Sequence, residues 1–245
     1  MTNQHMFLQL VKQDLIKRKR RRLIPRQWWM AYLAMILLIA IAAATYVAMR
    51  GNMDFHKMWF FASALPIVAL GITAGQTARE WKNHTIGWWL SLPISRGMLI
   101  ASKFCAGLIR AVTVLIIAYL AISLFGLYMV CLAGQFQADA YLLFLTKGVE
   151  WFALLICTFP FMAALGQLFT IIKNTLARPV LPLLWGLLFL IWGLGSSTFS
   201  NFFTIDETTR ISLSVSIFYP IAASWIAAFM MICLSAYLLD RHVSL

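Results

Sequence analysis

The sequence predicts an all-α membrane protein with six transmembrane helices, an N-terminal amphipathic helix at the interface and a short surface helix between spans 2 and 3. Three observations carry that expectation. The composition is 62% hydrophobic and only 11% charged, with a mean hydropathy of +0.83, where soluble globular chains carry roughly a quarter charged residues. Six predominantly apolar runs, 28–49, 58–78, 98–126, 150–172, 179–199 and 213–239, are each about 20 residues or longer, enough to cross a core of about 30 Å. Ten-residue segments of alternating hydrophobicity are absent, which excludes an outer-membrane barrel and leaves helices to satisfy the backbone within lipid.

The chain divides into a polar and amphipathic segment, 1–27, and a six-span domain, 28–245. Between residues 5 and 16, Met6, Phe7, Leu10, Val11 and Leu15 recur at helical spacing, with Gln9, Lys12 and Gln13 on the opposite face. The basic run Lys17 to Arg22 comes next, so this segment reads as a helix lying among lipid headgroups. Span 1 opens at the interfacial pair Trp28-Trp29; its length and the lack of a small-residue cleavage site read as a retained span. Span 2 holds Gly71-Ile72-Thr73-Ala74-Gly75, a pattern that admits close approach of another helix. Span 3 is long enough for its first turns, up to Lys103, to project into the headgroup region. The residues 134–147 read as an outer loop, and Pro160 falls inside span 4. The connection Lys173 to Arg178 makes spans 4 and 5 antiparallel neighbours, and the segment 195–212 opens, over 195–201, as a broken or re-entrant turn.

Basic residues set the orientation. Lys12, Lys17 to Arg22, Arg26, Arg79, Lys82, Arg96, Lys103, Lys173, Arg178 and Arg241 fall on one side, and only Arg50, Lys57, Lys147 and Arg210 on the other. Both termini are therefore expected in the cytoplasm. The formal charge of +12 then faces anionic lipid and calls for no nucleic acid. Cys105, Cys131, Cys157 and Cys233 lie apart in apolar runs, without CxxC or metal spacing, and read as buried small hydrophobes.

Catalytic signatures are missing. The sequence has no GxxxxGK[ST], HExxH or GxSxG and no close carboxylate pair within a span. No bound metal or cofactor is expected in this chain. Arg110, about 18 Å into span 3 by helical rise, is the charge that most needs a partner. A carbonyl, Gln76, Gln167 and Glu150 are the candidates, and a direct part in a transport pathway is the alternative.

The polar insert 78–96 is the most informative stretch. Glu80 ends span 2 beside Arg79 and Lys82, either as an interfacial ion pair or as a latch that orients the short helix after it or meets a partner's basic groove. Trp81, Trp88 and Leu92 share one side of a helix, with Lys82 and Asn83 elsewhere, giving an anchored face and a presented one. Pro93 stops that helix and Ser95 caps the next.

Glu80, Asn83-His84-Thr85, Trp89-Leu90-Ser91-Leu92-Pro93-Ile94-Ser95-Arg96 and Lys103 together resemble the pattern of ABC-2 type transporter permeases. That pattern is an acid, a Thr, an apolar pair, Pro, Ser-Arg and a Lys about seven positions later. Where the family commonly has Gly before the Thr, this chain has His84. The resemblance implies a transport subunit without its own ATPase site, paired with a second permease chain (identical or homologous) and with separate ATPase subunits that use ATP and Mg²⁺. It makes residues 79–92 a coupling helix, with Arg79, Glu80, Trp81, Lys82, Asn83, His84, Thr85, Trp88, Trp89, Pro93, Arg96 and Lys103 as its site. It places Gly71, Gly75, Gln76, Arg110 and Gln167 toward the dimer interface and pathway. The resemblance implies export, in members without a large outer domain commonly of a drug, peptide or toxin and in others of polysaccharide or lipid-linked glycan. Small loops and aromatic spans favour an apolar or amphipathic cargo, and a bacterial plasma membrane is the expected location. The alternative is a membrane scaffold or immunity protein that binds a toxin or partner without transport.

Overall fold

The structure, a computed structural model, describes residues 3–16, parts of 30–46, 59, 62–87, 91, 93–132, 138–186, 189 and 215–242. Its described elements are all helical: α1 Asn3–Ile16, α2 Leu65–Lys82, α3 Arg96–Leu132, α4 Ala138–Lys173, a 3-10 turn Arg178–Val180, and α5 Val215–His242. Among the described residues, three helices are long and apolar enough to cross a membrane, over Arg96–Cys131, Tyr141–Lys173 and Ile221–Arg241. They cover the expected spans 3, 4 and 6. Most of spans 1 and 5, the segment 195–212 and the basic run 17–22 lie outside the described residues.

α2 carries Arg79, Glu80 and Lys82 in its own last turn, so the helix runs on into the expected insert 78–96, of which 88–90 and 92 lie outside the described residues. Two expectations are corrected. The loop expected at 134–147 is helical from Ala138, because its polar residues share the helix with Tyr141, Leu142, Leu143 and Phe144. Finally, Cys131 and Cys233 are exposed rather than buried. An apolar side chain in a membrane helix has no need of a protein core, since lipid is equally apolar.

The chain forms two compact units, 1–14 with 66–111 and 156–245, and 15–65 with 112–155. In the first, Leu99 and Ile100 of α3, Leu168, Ile171 and Ile172 of α4, and Leu238 and Leu239 of α5 form one apolar cluster. Leu10 of α1, Trp81 at the end of α2, and Leu181 and Leu184 beyond the 3-10 turn pack on its edge. Trp185 meets Phe169 edge-on at 5.1 Å, so the chain does turn back along α4 after the short connection. Against α3 and α4, α2 presents Ala69, Thr73, Gln76 and Thr77, all buried.

Small residues make that approach possible. A methyl group on Gly107 would strike the Thr73 side chain, and one on Gly166 would fall on the Leu70 carbonyl. Hydroxyls close the remaining backbone needs: Thr170 Oγ1 donates to the Ala74 carbonyl at 3.2 Å, and Thr73 Oγ1 to the Ala69 carbonyl at 3.1 Å. The Gly71 and Gly75 pair lies elsewhere on α2, with none of the described residues within 4 Å of either added methyl. Helix contact within this unit thus uses Gly107 and Gly166, which the GxxxG pattern does not mark.

The second unit is organised on Trp59, 4% exposed. Its indole stacks on Tyr119 and Phe144 at 5.4 and 4.7 Å, meets Phe152 edge-on at 5.5 Å, and donates to the Phe144 carbonyl at 3.0 Å. Gly148 leaves the space the indole fills. The indole thereby satisfies its N–H where no water is at hand.

Gly166→Ala is expected to lower the thermal midpoint of the purified chain in nanodiscs, with an overpacking cost of about 1–3 kcal/mol. Gly75→Ala in the same helical layer is expected to leave that midpoint unchanged or raise it, as for Gly to Ala in an open helix position.

Candidate functional site

The end of α2 is closed by a Schellman motif. The His84 N–H donates to the Trp81 carbonyl at 3.1 Å, and the Thr85 N–H reaches back to the Glu80 carbonyl at 3.0 Å. That geometry requires a left-handed residue, and His84 supplies it with φ 55°. Glycine takes this conformation without steric cost, whereas a residue with a Cβ does not. Where the ABC-2 resemblance leads one to expect Gly, His84 therefore makes the same turn under strain, with its side chain exposed. Beyond it, Ser91 N–H bonds to the Gly87 carbonyl at 3.0 Å. Ser95 then starts α3, its hydroxyl accepting from the Met98 N–H at 3.4 Å.

Side chains lock the turn to α3. Thr85 Oγ1 donates to Glu80 Oε2 at 2.5 Å, and Lys103 Nζ meets Glu80 Oε1 at 2.8 Å. Lys103 is 3% exposed and Glu80 13%. A pair this dry contributes little net stability, yet removing one partner strands the other and costs about 3–5 kcal/mol. Glu80 thus turns inward, paired with Lys103 and bonded by Thr85.

Lys103 also faces Asp14 of α1, 3.5 Å from each carboxylate oxygen. Arg110, one further stretch along α3, donates to the Asp14 carbonyl near the end of α1, where a cation also complements the helix dipole. Gln76, with its amide turned so that both atoms find partners, donates to the Lys103 carbonyl at 3.2 Å and accepts from Arg110 Nη1 at 2.5 Å. A carbonyl and Gln76, two of the partners considered for Arg110, are the ones seen here. Gln167 instead donates to the Ile100 carbonyl at 3.0 Å.

Arg110 meets the end of α1, whose Gln9, Lys12 and Gln13 are exposed. At about 1.5 Å per residue α3 is about 55 Å long, and no charge occurs from Ala111 to Leu132, which leaves a full crossing beyond the cluster. Arg96 Nε lies 3.4 Å from Asp240 of α5; this pair is partly exposed and ties the start of α3 only weakly.

The site therefore has an inside and an outside. Glu80, Thr85, Lys103, Gln76, Arg110 and Asp14 form the inner network, while Arg79, Lys82, His84 and Pro93 are exposed. Trp81 is half-buried against the apolar cluster; the placement expected for Trp88 and Trp89 lies outside the described residues. Sequence reasoning misses Asp14, although it comes after Leu10 and Val11 at helical spacing, and an acid on an apolar stripe needs a buried partner. Among the described residues no group of three or more His, Cys, Asp or Glu is placed to hold a metal ion.

The family model for the ABC-2 family transporter protein matches residues 17–237. The chain belongs to the ABC-2 family of transporter proteins. No curated protein and no solved structure matches it. As an ABC-2 family protein it is membrane-integral, a transport component of a family that works generally with an ABC ATPase subunit. In this ABC-2 protein, the residues that carried the resemblance, Glu80, Thr85 and Lys103, form one hydrogen-bonded chain.

His84→Gly is expected to raise the thermal midpoint by roughly 2–4 °C, the equivalent of about 1 kcal/mol in a chain of this size. His84→Val, β-branched in a left-handed position, is expected to lower it by at least as much.

Proposed function

We propose that the chain is the permease subunit of an ATP-driven exporter, with residues 79–92 as the element that couples it to a separate ATPase. The observation that carries this reading is the latch. Glu80 and Lys103 join the end of α2 to α3 at 2.8 Å, so a push on the turn moves both helices together. A turn hinged only on its backbone would absorb that push. The exposed Arg79, Lys82 and His84 form the face offered to the ATPase, and Trp81 keeps the other face on the apolar cluster.

The full assembly in this reading is two permease chains, alike or homologous, each with six spans, cytoplasmic termini and its own ATPase contact. ATP and Mg²⁺ act in the ATPase subunits. The open α2 face at Gly71 and Gly75 suits close approach of the second permease chain. Cargo is apolar or amphipathic, a peptide, toxin or drug, exported across a bacterial plasma membrane through the lipid-embedded dimer.

Affinity purification from the native membrane in gentle detergent is expected to bring down an ATPase subunit. The Arg79→Ala/Lys82→Ala variant, with the latch intact, is expected to bind it more slowly and with a flatter salt dependence, as for charges at an interface rim. Purification without any nucleotide-binding subunit would overturn the reading.

A further inference from the structure

The buried ammonium of Lys103 lies between carboxylates from two different elements. Glu80 Oε1 is at 2.8 Å, whereas both oxygens of Asp14 stand at 3.5 Å. The nearer contact is a close charge-assisted hydrogen bond; the farther one is a looser approach to both oxygens at once. Lys103 is 3% exposed and Asp14 18%. An ammonium that dry cannot lose Glu80 to an outward movement of the turn unless another anion takes over. Asp14 is already within reach, and contacts besides the ammonium also hold it in place. Arg110 anchors the Asp14 carbonyl, Gln76 positions Arg110, and Val11, 8% exposed, seats α1 one turn earlier.

We propose that Asp14 is a positioning residue for coupling: the standby counter-ion to which Lys103 transfers when Glu80 and the 83–87 turn are drawn outward. The inference rests on reading that turn as the coupling element. Transfer replaces one ion pair by another, so the turn moves without stranding a buried charge. The two carboxylates compete for a single ammonium, and α1 tightens as the turn loosens. α1 is in this way a counterweight to the turn, and the separation of 89 positions between Asp14 and Lys103 in sequence is bridged by one proton donor.

A purely structural cluster behaves differently, since losing any member loosens every element attached to it. The test is amide hydrogen exchange on the full chain in lipid nanodiscs, with no ATPase present, so that its outcome is independent of whether the partner reading holds. Glu80→Gln is expected to speed exchange at 83–87 and to slow exchange across residues 4–16 by several-fold, as Lys103 moves onto Asp14. Asp14→Asn is expected to do the reverse, speeding α1 and leaving 83–87 as slow as, or slower than, in the unaltered chain. Should Glu80→Gln fail to fold, Glu80→Asp retracts the carboxylate by about one C–C bond, ~1.5 Å, and is expected to shift both segments in the same senses. The double variant Asp14→Asn/Glu80→Gln is expected to lose more stability than the two single losses combined, and Lys103→Met in that background to restore part of it. Faster or unchanged exchange in α1 on weakening Glu80, or additive losses in the double variant, would overturn the proposal.

Discussion

One buried lysine governs this end of the molecule. Lys103 lies almost without solvent on a helix that is otherwise apolar for most of its length. Its charge persists there only because anionic and polar groups converge on it. Glu80 comes from the last turn of α2, Asp14 from α1, and the Gln76 amide binds the lysine's own carbonyl. Three elements far apart in sequence are therefore registered against a single ammonium. The turn after α2 inherits its position from the same contact, through the hydroxyl of Thr85.

Packing around the cluster serves this arrangement. Gly107 lies four residues beyond Lys103 on α3 and makes room for Thr73 and Gln76, so α2 comes close enough for Glu80 to reach the lysine. Gly166 does the same on α4 beside Leu70. Threonine hydroxyls then bond to carbonyls within and between the helices. In lipid no hydrophobic force separates one apolar helix face from another, so small residues and such bonds decide which faces meet. Polar contact at the cluster and close contact along the helices are one design: each brings α2, α3 and α4 to the same register.

Much of this is legible in the sequence, for identifiable reasons. The spans covered by α3, α4 and α5 follow from length and hydropathy, which lipid enforces strictly. The apolar stripe of α1 follows from its period, and Ser95 as a cap follows from its place ahead of the helix. Glu80, Thr85 and Lys103 are marked by their shared motif, and the structure brings the three together. Helix ends are harder. Charges at Arg79 to Lys82 suggest a separate surface helix and polar residues near Asp139 a loop, yet a helix carries such residues well once it leaves the hydrocarbon. The stripe marks Asp14 as needing a partner but not which one, because its partners are long-range and no local pattern connects α1 with the first half of α3. Trp59 escapes notice for the same reason: its contacts with Tyr119 and Phe144 are tertiary.

The central claim is that the Lys103 ammonium holds the turn after α2 in place. Hydrogen exchange at the His84 and Thr85 amides, both bonded back to α2, measures this directly when Lys103→Met is compared with the unaltered chain in nanodiscs. Both amides are expected to exchange roughly tenfold faster or more once the charge is gone, because Glu80 is left buried without its cation. Unchanged protection at the two amides, in a variant whose α3 and α4 cores remain as protected as before, would contradict it.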